Sequence, residues 1–220
     1  MAARGAKSTS IRHRTALGLA AATAMLLQVG VLSAEPSVGA DAFAPVEEYA
    51  RKVEEFTKSA PGLNKKIEDG TKAIEDLTDV SKARAEIEQL RGVIADLLGR
   101  VSDNGELARL GGKALDHARG KLKSLEQDSR FKPEEREFLT RNWRELIGQT
   151  ERAADELENA RREFAELLKM LQVREDFIDE LMQIRRAAEA TKVIRQLTSE
   201  LRDASAKLKV LIGGIKPPGV

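Results

Sequence analysis

Long α-helices are what this sequence predicts: an all-α chain, folded as an elongated antiparallel coiled-coil hairpin or an up-down helical bundle, behind an N-terminal signal peptide. Three observations predict it. Apolar residues recur at steps of three and four through most of residues 45–212, the spacing that keeps one helix face against a partner. Glycine and proline gather at a few breaks instead of being scattered, as expected where they punctuate helices. Aromatics are 4% of the 220 residues and charged residues 33%. That balance suits helices zipped by Leu, Ile and Ala, with solvated outer faces, better than a globular core built on aromatic area.

The N-terminus has its own character. Residues 1–34 carry Arg4, Lys7, Arg12 and Arg14 but no acid, so all 36 acidic residues follow. Thr15 to Ala34 is an uncharged stretch rich in Ala and Leu. A basic start, an apolar run and small residues at its end form a secretory leader. Residues 1–40 are therefore assigned to the signal peptide and its cleavage region, with cleavage expected after Ala40 (Val38-Gly39-Ala40) or after Ala34. The same 20 uncharged residues, 15–34, are long enough to remain as an uncleaved anchor. Localisation is expected to be periplasmic or secreted, or membrane-anchored with the helical part outside the cytoplasm.

Residues 41–44 read as the end of a spacer and 45–212 as the helical domain. Pro45 suits a helix start, followed by Val46, Tyr49, Val53 and Phe56 at three-four spacing. Pro61-Gly62 is expected to stop that helix. Leu63, Ile67, Ile74 and Leu77 then form one register, and Val80, Ala83, Ile87, Leu90, Ile94, Leu97 and Val101 another. Joined without interruption, the two would meet in a stammer, with successive steps of three from Leu77 to Ala83. Ser102-Asp103-Asn104-Gly105 is a turn, with Asp103 or Asn104 as the cap of the next helix. Leu107, Leu110, Ala114, Ala118, Leu122 and Leu125 mark that helix, weakened by Gly111, Gly112 and Gly120.

Residues 127–133 are the second clear break, and Pro133 restarts the chain ahead of Glu134 and Glu135. Leu139, Trp143, Leu146, Thr150, Ala153, Leu157, Ala160, Phe164, Leu167 and Leu171 hold one register; Ala187, Ala190, Ile194, Leu197, Leu201, Ala204, Leu208 and Leu211 hold another. Between Leu171 and Ile184 the chain bends, turns tightly near Arg174-Glu175-Asp176, or continues through a stutter. Gly213-Gly214 and Pro217-Pro218 end the domain, leaving 213–220 as a flexible tail. The break at 127–133 separates two arms of nearly equal length and so becomes the far tip, where Phe131, Phe138 and Trp143 cluster. These three residues are the candidate partner contact.

Composition narrows function by exclusion. Residues 35–220 hold 33 basic against 36 acidic residues with signs interspersed, which is no footprint for nucleic acid. With no cysteine and only His13 and His117, the chain offers no nucleophilic triad, no Glu-x-x-His and no metal-spaced cluster. His117 reads as a surface or rim residue. Phosphate-cradling glycine loops are absent. No catalytic, metal or cofactor-binding residue is assigned, and no enzyme activity or cofactor is expected. The expected role is an exported structural or scaffolding protein that meets protein partners, including copies of itself, through heptad seams. The alternative is a periplasmic helical chaperone or regulatory client-binding module. Membrane contact is expected only if 15–34 stays uncleaved.

Overall fold

The computed structural model describes residues 42–76 and 79–219. The signal peptide, its cleavage sites and the anchor alternative lie outside these residues. Five helices pack against one another, and the described residues hold no strand. They are α1 (Ala44–Asp76), α2 (Val80–Arg100), α3 (Glu106–Gln127), α4 (Pro133–Gln183) and α5 (Ala187–Gly214).

Cross-helix pairs fix the directions. From α4 to the α2–α3 stretch, Arg144 meets Glu126 at 3.0 Å, Glu151 meets Arg119 at 2.7 Å, Glu175 meets Arg91 at 2.6 Å and Asp179 meets Arg84 at 2.7 Å. One partner's number rises as the other falls, so the two run antiparallel. Arg174–Glu200 and Glu163–Lys207, both 2.5 Å, orient α5 against α4 in the same way. Glu48–Lys113 and Lys52–Glu106 set α3 against α1, while Glu75–Arg202 and Asn64–Ser205 close α5 onto α1. The result is four rods, up and down in turn, with α2 and α3 as one interrupted rod. Most of these pairs are exposed and mark register more than they stabilise it.

The Pro61 break does not occur. α1 runs through it for 33 residues. Proline removes one backbone hydrogen bond and costs about 3 kcal/mol inside a helix. Burial offsets that cost, because Val46, Tyr49, Val53 and Phe56 are followed on the same face by Asn64, Ile67, Thr71 and Ile74, all buried. Each large apolar side chain buried there contributes about 1.5–3 kcal/mol. Asn64 and Thr71 complete the face although they are polar. Asn64 accepts from the Ser205 hydroxyl at 2.8 Å and donates to Glu68, and the Thr71 hydroxyl donates to the Ile67 carbonyl.

Nor does the helix continue from Leu63 to Val101. It ends at Asp76 and restarts at Val80, where the Asp79 carboxylate accepts from the Ser81 and Lys82 amides. The register expected for α2 is buried as read, from Ala83 to Val101. At the next turn neither Asp103 nor Asn104 caps. Gly105 holds the cap position, and its N–H donates to the Ser102 carbonyl. A Cβ there would lie 2.9 Å from two backbone carbonyls, so the turn itself requires glycine.

α4 is 51 residues, about 76 Å at 1.5 Å per residue. It does not turn near Arg174-Glu175-Asp176. Glu175 is a core position of the continuing helix, buried between Leu171 and Ile178 and paired with Arg91. The turn comes at Ile184–Arg186. There the Arg186 N–H reaches the Leu181 carbonyl and the Arg185 N–H that of Met182, with Arg185 at φ 59°. This is a Schellman cap with arginine where glycine is usual. On α5 the buried residues after Leu201 are Ser205, Leu208 and Ile212, so Ala204 and Leu211 of the expected register lie to the side. The expected tail is packed as well. Gly213 and Gly214 belong to α5, Ile215 is buried, and the Gly219 N–H donates to the Gln149 side-chain Oε1 at 2.7 Å.

Gly111 is a close-packing site. The Tyr49 ring lies on it, 3.2 Å from where a Cβ would stand, whereas nothing lies within 4 Å at Gly112. Tyr49 is fully buried, and burial, with the nearby Glu156 charge, pushes its phenol well above the usual range.

Three outcomes are expected. Gly112→Ala should raise stability by up to about 1 kcal/mol through helix propensity. Gly111→Ala should lower it by about 1–3 kcal/mol by overpacking against Tyr49; urea melts of the pair measure the contrast. Arg185→Gly should add about 0.5–1 kcal/mol, since a left-handed non-glycine residue costs about 1–2 kcal/mol and glycine returns part of that gain as chain entropy. Equal melts for Arg185→Gly and the parent would contradict the cap geometry.

Candidate functional site

The α3–α4 turn forms one end of the bundle. α3 stops at Gln127, and Asp128 then organises the loop: its carboxylate accepts from the Arg130 backbone N–H at 2.9 Å and from the Arg130 guanidinium at 2.7–3.1 Å. The guanidinium contact, followed by the backbone bond, holds the Asp128 carboxyl down at about 2. Pro133 opens α4, and the Glu135 side chain accepts from the Lys132 amide at 3.3 Å. This is a local, exposed turn that uses its charges on itself.

Only α3 and α4, among the described elements, continue to this end. α1 begins beside the middle of α3, where the His117 Nε2–H donates to the Ala42 carbonyl at 2.7 Å. Phe43 lies flat on Trp143, with centroids 4.6 Å apart and planes 8° from parallel, and His117 meets the Trp143 edge. Beyond that level the seam has two helices rather than four. Leu125 is buried, but Leu122, Phe131 and Leu139 are only half-buried.

The three aromatics named from sequence therefore separate. Trp143 is 7% exposed and belongs to the core. Phe131 is half-buried against that core. Phe138 is 48% exposed and is the one ring on the surface. The partner of Trp143 is Phe43, which the sequence reading left inside a spacer. An aromatic two residues before a helix-starting proline was the available signal. A stacked pair of this kind stabilises by about 0.5–1.5 kcal/mol beyond its buried area.

A second apolar surface lies near the opposite end, on the outer face of α4. Val173 is 57% exposed, Phe177 44% and Ile184 61%, with Met170 half-buried one step earlier. Their steps of three, four and seven repeat the heptad pattern on a face that no other described helix covers.

Many of the titratable groups are engaged in exposed ion pairs. Glu158, held by Arg161 and then Arg162, has its carboxyl down at about 2. The two clefts beside α1 are lined by charges of both signs: one at Phe56 and Leu107, the other at Thr71 and Ser205. Among the described residues no three His, Asp or Glu side chains group as a metal site would need, and no helix is long and apolar enough to cross a membrane. No family model matches this chain, and no curated protein or solved structure does.

Removing the Phe43 ring should expose Trp143. Phe43→Ala is expected to red-shift the emission of this single tryptophan and to cost about 1–2 kcal/mol. Phe138→Ala should leave the emission unchanged and stability within about 0.5 kcal/mol, as at an ordinary surface position. A red, water-like emission from the unmutated protein would contradict the packing of Trp143.

Proposed function

We propose that this chain is an exported, non-enzymatic scaffold that acts through helix–helix contact. The observation that carries the reading is the outer stripe of α4. Val173 and Phe177, with Ile184 at the turn that ends α4, repeat the spacing of the buried seams but are exposed, and Met170 stands half-buried at the start of the row. Large apolar side chains left in a row on a charged helix are a docking face for another helix. The basic N-terminal segment and its uncharged run support export, with residues 1–40 as leader or 15–34 as anchor. The antiparallel rods support the coiled-coil character, since narrow three-four seams specify partners by register.

The stripe predicts self-association or one stable partner. Light scattering on the purified chain should report at least twice the mass of one mature chain, and reversible cross-linking in the cell envelope should retain the same partner in repeated pull-downs. Val173→Glu with Phe177→Lys should abolish both while moving the melting midpoint little, because the two side chains are already in water. A monomer at tens of micromolar that captures no partner would remove the scaffold reading. Stoichiometric suppression of client aggregation, lost in the same variant, would replace it with a chaperone that holds unfolded segments on this face.

A further inference from the structure

The α3–α4 end carries a basic surplus. Residues 119–144 hold eight basic and five acidic residues, a surplus of three, within a segment 35–220 whose balance is −3. The acids there are largely occupied. Glu126 pairs with Arg144, Asp128 with Arg130, Glu137 with Arg141, and Glu135 caps the Lys132 amide. Lys121, Lys123, Lys132 and Arg136 have no ion pair among the described residues. Phe138 stands exposed in the same region, with Phe131 half-buried near it.

We infer that this end of the bundle is a docking surface for an anionic lipid bilayer. Unpaired lysines on long apolar stems beside an exposed aromatic ring are the combination that settles at a headgroup layer, the cations meeting lipid phosphates and the ring entering the acyl boundary. The course of the chain points the same way. The described structure starts at Ala42, held by His117 midway along α3, in the half of the bundle nearer this end. Residues 15–34 are the uncharged run, and only seven residues, 35–41, separate it from Ala42. Seven residues reach at most about 25 Å when extended. An apolar run seated in a bilayer therefore leaves this end, and not the turn at Ile184–Arg186, within reach of the lipid surface. The inference does not depend on the scaffold reading, which concerns a different face.

The full chain contains no cysteine, so one introduced thiol can be labelled uniquely. Ser129→Cys places an environment-sensitive dye on the exposed tip, and Ala188→Cys places it at the opposite end. Both are titrated with phosphatidylglycerol vesicles and with phosphatidylcholine vesicles. The expected result is a blue shift at position 129 with phosphatidylglycerol only, weakened by salt and absent at position 188. Lys121→Glu with Lys132→Glu should raise the half-saturating lipid concentration at least tenfold, and Phe138→Ser should reduce the blue shift. Should a variant fail to fold, the contrast between the two labels in the otherwise unmutated chain decides alone. The inference is overturned by equal shifts with both lipids, by equal shifts at both positions, or by no shift. A response at 129 to polyglutamate but not to vesicles overturns it too, and makes the tip a site for acidic protein.

Discussion

The long buried face of α4 is the constraint on which α2, α3 and α5 depend. From Trp143 to Leu181 it stays buried through Thr150, Ala153, Leu157, Ala160, Phe164, Leu167, Leu171 and Ile178. α2 and α3 are separate helices, yet both lie along α4, and Arg161 reaches Asp103 within the break itself at 3.4 Å. Two short helices with a shared continuous neighbour lose less order at their junction than two joined only to each other, since the neighbour holds both ends of the loop near their final separation.

Polar residues at core positions give the bundle its register. Glu175 with Arg91, and Asn64 with Ser205, sit where a seam of Leu and Ile would tolerate sliding. A shift by one turn would leave each of these groups buried and unpartnered, at about 1–3 kcal/mol for a neutral group and more for a charged one. The buried hydroxyls of Thr71, Thr150 and Thr198 donate to carbonyls of their own helices, so they fill space without setting register. Among the described residues no buried side-chain nitrogen or oxygen lacks a partner. A polar core is compatible with stability on that condition alone.

This division explains what could be read beforehand. Apolar periodicity made the helices of Val80–Val101 and Pro133–Leu171 legible, and Pro133 marked its own helix start. Where a core slot was polar, the pattern lost its guidance: with Glu175 in the seam, a bend, a turn and a stutter all stayed open between Leu171 and Ile184. Where a breaker stood in a well-buried helix, as Pro61 does, local propensity gave way to the face around it. The turn at Ile184–Arg186 carried no glycine to announce it. The break between Gln127 and Pro133 was legible, and the heptad slot of Trp143 pointed that ring inward. Its partner was not legible, because Phe43 is a hundred residues from Trp143 in the chain and reaches it only where α1 starts beside α3.

The placement of the two chain ends has a topological consequence. Ala42 is held at His117 and Gly219 at Gln149, so the described chain begins and finishes on the same side of the bundle, while the turn at 184–186 occupies the opposite pole. A force drawn through Ala42 against a partner gripping the far pole pulls α1 lengthwise, and every layer of its seam with α2, α3 and α5 resists at once. The same force applied between the two ends parts α1 from α5 one layer after another. One molecule is thus stiff as a strut and weak as a zipper, and which of these it is depends only on where it is held.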